Sequence, residues 1–90
     1  MDEPLYSIEW TKRAIKQLAA IQPAKQRAAI LDAVRGLGSC PTNAANVKAL
    51  QGHEIAYRLR VGRYRVLFDL DDGVRILVIQ QVKRRDERTY

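Results

Sequence analysis

The chain changes its hydrophobic period partway along. Tyr6, Ile8 and Trp10 alternate with Ser7 and Glu9, which predicts a short strand with one buried face. Thr11 suits a helix N-cap. Ala14, Ile15, Leu18 and Ala19 follow at helical spacing, leaving Lys12, Arg13 and Lys16 for the polar side. Pro23 interrupts this helix and suits the first turn of a second. The apolar stripe of that second helix reads Ala24, Ala28, Leu31, Val34 and Leu37, with Gly36 and Gly38 as terminators. Two helices joined by a few residues predict an antiparallel helical hairpin.

From Ser39 to Asn46 the small and polar residues read as a surface loop, and Val47 to Leu50 as a short extended piece before Gly52. The period then becomes two. Tyr57, Leu59 and Val61 alternate with Arg58 and Arg60, and Gly62-Arg63 turns the chain into Tyr64, Val66, Phe68 and Leu70. Asp71-Asp72-Gly73 is a hairpin signal. The nearly all apolar stretch Val74 to Val82 predicts a central strand buried on both faces. The predicted order is β-α-α-β-β-β. This is an α+β fold in which a helical hairpin packs on a mostly antiparallel four-stranded sheet, as one domain over residues 1–90.

Composition bounds the class. Ninety residues fit one modest core, and 47% apolar with 29% charged residues is ordinary for a globular domain. The single cysteine, Cys40, excludes an internal disulfide and fits a reducing compartment. Met1-Asp2-Glu3-Pro4 lacks the layout of a signal peptide, and the longest apolar runs (Ile76 to Ile79) are far too short for a membrane helix. The expectation is a soluble cytoplasmic protein without a membrane partner. Sixteen Lys and Arg against ten Asp and Glu give a net charge of +6, which favours polyanionic partners.

Position sharpens that clue. Nine of the sixteen basic residues fall from Arg58 onward: Arg58, Arg60, Arg63, Arg65, Arg75, Lys83, Arg84, Arg85 and Arg88. Arg58 and Arg60 share one strand face, and Arg65 sits on the next strand of the same hairpin. Helices covering Tyr57, Leu59, Val66 and Phe68 would leave these arginines on the opposite side. Lys83, Arg84 and Tyr90 would then reach its rim. The plainer readings are a wet sheet face, an Arg65–Asp69 pair, a solvated charge run and a frayed terminal tyrosine. No His, Cys, Asp or Glu residues have metal-ligand spacing. His53 beside Glu54 reads as a loop residue, although its pKa range suits acid–base work. Neither a metal nor an organic cofactor is expected.

The opening strand and paired helices, VKALQG, the hairpin YRLRVGRYRVLFDL and the ending DDGVRILVIQQVKRRDERTY together resemble the RelE/ParE family of toxins, across essentially the whole chain. The run from Tyr57 to Phe68 with the closing basic segment and tyrosine carries most of that likeness, and resembles the RelE branch. The resemblance implies the toxin of a type II toxin–antitoxin pair: a ribosome-dependent, metal-independent endoribonuclease that cleaves messenger RNA and inhibits translation. The ribose 2′-oxygen would attack the adjacent phosphate. By the same resemblance Arg65, Arg84 and Tyr90 are the candidate catalytic residues, with Tyr90 stacking on a base. Arg58, Arg60, Lys83 and Arg85 would bind RNA, and the implied partners are a cognate antitoxin and the ribosome with its mRNA. Guanidinium forks suit the charge that builds on an attacked phosphate.

Relatives commonly carry lysines where this chain has Arg58 and Arg60, and arginine does not release its proton. The general base is therefore unassigned. The carboxylate that follows Tyr90, where the sequence ends, is expected to help accept the proton. Two other readings stay open: a ParE-like inhibitor of DNA gyrase that cuts nothing, and an inactive basic nucleic-acid-binding module.

Overall fold

A computed structural model describes residues 6–38, 46–52 and 54–84. The elements run β1 (Ser7–Trp10), α1 (Lys12–Ala19), α2 (Ala24–Leu37), β2 (Val47–Ala49), β3 (Tyr57–Val61), β4 (Tyr64–Asp71) and β5 (Ile76–Arg84). The strands form one sheet in the order β1-β5-β4-β3-β2. β1 lies parallel to β5, and every other pairing is antiparallel. The class is the α+β arrangement expected, with five strands instead of four. The extra strand is the short extended piece, whose Val47, Lys48 and Ala49 pair with Leu59, Arg58 and Tyr57.

Strand alternation and helix placement put one core on one sheet face. Ala14, Ile30, Val34 and Leu37 from the helices meet Leu59, Val66, Phe68, Leu77, Ile79 and Val82 from the sheet. Phe68 is fully buried and stacks on Tyr57, with ring centroids 5.4 Å apart and planes 19° from parallel. Removing about 150–250 Å² of such an aromatic from water is among the larger single contributions a core this size receives. Gly62 takes a φ of +57°, which the primed hairpin turns require at their first central position. Among the described residues no helix is long and apolar enough to cross a membrane.

Three expectations change. The buried stripe of α2 is Ile30, Val34 and Leu37; Ala24 and Ala28 are exposed and Leu31 is 37% exposed. An alanine-rich helix offers apolar side chains on two faces, and the face with the bulky Ile30 buries more surface. On α1, Ala14 is buried but Ile15 is 52% exposed. The last strand spans Ile76–Arg84, and only its Leu77, Ile79 and Val82 face is buried, because both helices lie on one side. Val74 belongs to the preceding turn and is 63% exposed.

The β4–β5 ladder carries a bulge that fixes the phase of everything after it. Leu67 pairs with Gln81 while the next residue, Phe68, pairs with Ile79, so Gln80 is the extra residue. The start of α1 serves this irregularity. The Thr11 hydroxyl accepts from the Ala14 N–H (3.1 Å) as N-cap, and donates to the Ile79 carbonyl (3.0 Å), with the Gln80 carbonyl 3.2 Å away. Gln17 Oε1 accepts from the Val82 N–H at 2.7 Å.

Candidate nucleic-acid interface

Strand register gathers the basic residues on the face away from the helices. Arg60 stands opposite Arg65, and Arg65 opposite Lys83, which makes one row of cations across β3, β4 and β5. In the neighbouring row Lys48 stands opposite Arg58, followed by Leu67 and Gln81. Strands lie about 4.8 Å apart, so the Arg60–Arg65–Lys83 row spans roughly 10 Å. Like charges directly opposite destabilise a sheet by about 0.2–1 kcal/mol per pair. Three basic residues nevertheless stand in line on this face.

The bulge decides which cation joins the row. Unbroken alternation from Leu77 and Ile79 would send residue 83 to the helix side and residue 84 to the open side. One extra residue reverses this. Val82 is buried, Lys83 comes opposite Arg65, and Arg84 comes opposite the buried Tyr64. Arg84 thus lies inside the last strand, not after it. It lines a cavity of about 460 Å³ at the α1–α2 turn with Gln17, Ile21, Tyr64, Val82 and also Lys83. Arg65 and Arg84, grouped by the sequence reading, occupy opposite faces at the same end of the sheet.

The remaining groups bound the surface. A shallow cavity of about 140 Å³ is lined by Asn46, Lys48, Arg58 and Arg60. Lys48, which the sequence reading passed over, belongs here; its signal was its place in the Val47–Ala49 piece. Asp69 does not take Arg65. It lies four residues along the strand, about 13 Å away, and its oxygens accept from the Ala56 N–H (2.8 Å) and the Gln80 side-chain amide (3.2 Å). Glu9 and Asp69 flank Val78 in one row, so acidic residues sit toward the opposite end of this face. Among the described residues no group of three or more His, Cys, Asp and Glu could hold a metal ion. Arg85, Tyr90, His53 and Cys40 lie outside the described residues.

The family model described as the ParE toxin of type II toxin–antitoxin system, parDE, matches residues 8–89. The chain belongs to this toxin family. Its RelE-like character within the wider RelE/ParE group is carried by individual relatives. The RelE1 protein of Methanocaldococcus jannaschii is 26% identical over 83 residues, 90% of this chain and 91% of that protein. Among solved structures, the toxin–antitoxin complex RelBE2 of Mycobacterium tuberculosis holds a chain 29% identical, with a TM-score of 0.78, covering 92% of this chain and 100% of that one. The archaeal RelE–RelB complex of Pyrococcus horikoshii shares the fold, with a TM-score of 0.79 at 24% identity over 93% of this chain and 99% of that one. The two helices on a mostly antiparallel sheet seen here are thus shared with solved RelE structures.

Proposed function

We propose that this toxin is an endoribonuclease that cuts messenger RNA on the ribosome in the cytoplasm, and that the Arg60–Arg65–Lys83 row is where the reacting phosphate binds. The observation that carries this reading is the row itself: three cations in register across adjacent strands, on a face no described helix covers. Attack by the ribose 2′-oxygen puts further charge on the phosphate oxygens, and guanidinium groups already aimed there stabilise it without reorganising. Arg65, held between two cations at mid-sheet, is the leading candidate for that contact, and Arg58, Arg60 and Lys48 extend the cationic track. Arg84, at the same end of the sheet, and Tyr90 are proposed as further contacts to the RNA. The ribosome supplies the geometry of the substrate, a large contribution in such chemistry.

An antitoxin partner is part of the proposal. The structural relatives from P. horikoshii and M. tuberculosis were both solved as toxin–antitoxin complexes. A segment bearing acidic and apolar side chains would neutralise the row and switch the toxin off.

The family model's own description, a ParE toxin, favours the second reading of a gyrase inhibitor. Induced expression separates the two. The nuclease reading predicts rapid loss of translated messages with intact chromosomal DNA; the gyrase reading predicts the DNA-damage response with messages spared.

A further inference from the structure

Arginines occupy the positions where a proton-exchanging group would be sought. Arg58, Arg60 and Arg65 hold their protons throughout the working pH range and act only as fixed charges. The bulge at Gln80 brings a different kind of cation into their row: Lys83, half-buried and directly opposite Arg65. From β4 it faces Arg65, with Arg60 beyond on β3, and Gln81 is its neighbour on the same face of β5. The acid of β1, Glu9, is opposite Val78, five residues back along β5. Lys48, the other amine on this face, is exposed on the edge strand β2 and belongs to the neighbouring row.

We propose that Lys83 is the general acid of the cleavage reaction, donating a proton from its ammonium group to the departing 5′-oxygen. This rests on the nuclease reading above. The 2′-oxygen forms its bond to phosphorus as the bond from phosphorus to the 5′-oxygen breaks. The 2′-hydroxyl proton goes to solvent water, and the 5′-oxygen leaves as an alcohol carrying the Lys83 proton. Water reprotonates the amine. The products are a 2′,3′-cyclic phosphate and a 5′-hydroxyl, with no oxidant or co-reactant consumed. The arginines stabilise the phosphate charge during the same step, which divides the work between groups that cannot move a proton and one that can.

The test compares wild type, Lys83→Arg and Lys83→Ala on programmed ribosomes carrying either ordinary mRNA or mRNA with sulfur replacing the 5′-oxygen at the cleaved linkage. A thiolate leaves without being protonated. On ordinary mRNA both variants are expected to lose about 10²–10⁴-fold in rate, the usual worth of a positioned acid. On the sulfur-bridged mRNA Lys83→Arg recovers to within about threefold of wild type, since its charge remains. Thermal melting and binding of the cognate antitoxin establish that each variant is folded. Wild-type rates for Lys83→Arg on ordinary mRNA, or equal losses on both substrates, would overturn the assignment of Lys83 while leaving the nuclease reading intact. An inert wild type on programmed ribosomes would overturn both together.

Discussion

Arg65 and Lys83 stand directly opposite one another across the β4–β5 ladder, on the sheet face away from both helices. Arg65 reaches that face by simple alternation along β4, whereas Lys83 reaches it only through the extra residue at Gln80. The row they form with Arg60 is a product of backbone register.

Its first consequence is electrostatic. Single-stranded RNA binding to Lys48, Arg58, Arg60, Arg65 and Lys83 releases counterions, so the log of affinity falls against the log of salt with a slope near −0.7 per phosphate neutralised. Arg60→Ala is expected to flatten that slope by about 0.7 and to weaken binding most at low salt. Fluorescence anisotropy of a labelled oligonucleotide across a salt series measures it. An unchanged slope would place Arg60 away from the RNA.

Thr11 links the helices to the bulge. Its hydroxyl caps α1 and reaches the Ile79 and Gln80 carbonyls, so Thr11→Ala removes the cap and both side-chain contacts, while the Thr11 N–H keeps its bond to the Ile79 carbonyl. The expected cost is about 2 kcal/mol. For a chain this short that lowers the melting temperature by roughly 10 °C. A loss no larger than that of an exposed α1 substitution such as Lys12→Ala would show that the bulge does not depend on it.

Much of the architecture was legible in the chain because periods of two and 3.6 are imposed by burial on one face. The Thr11 cap, the Tyr57–Leu70 hairpin and the arginines opposite the core all follow from that. What was not legible has physical causes. The face of α2 was ambiguous because Ala24, Ala28, Ala29 and Ala33 are small enough to sit on either side, and Ile30 settled it. The phase of the last strand was hidden because a bulge is one residue in a ladder whose partner must be seen; its trace in the sequence is the polar Gln80-Gln81 pair within an apolar run. That single residue moved Lys83 into the row and Arg84 out of it.

A pH-dependent contact lies at the far end of the sheet. The Tyr6 hydroxyl donates to the Asp72 carboxylate. That hydrogen bond, with burial and the carboxylate's charge behind it, raises the tyrosine pKa above its ordinary value, against a smaller opposing effect of Arg75. The folded state therefore holds this proton more tightly than the unfolded chain. The stabilisation is complete below about pH 10 and is lost as pH rises through the higher folded value. Urea melts of wild type and Tyr6→Phe from pH 8 to 11 should show a gap in stability that closes only above pH 10. A gap that stays constant across that range would contradict the coupling.

The cation row is proposed to bind a phosphate that is cut. The most direct measurement is mapping of RNA ends after wild type or Arg65→Ala is incubated with programmed ribosomes. Wild type is expected to give discrete cuts in the message, and Arg65→Ala to cut about 10²–10³-fold more slowly, the typical loss of one preorganised charge-stabilising group, while melting like wild type. Intact message with the wild-type protein, or equal cutting by Arg65→Ala, would contradict the account.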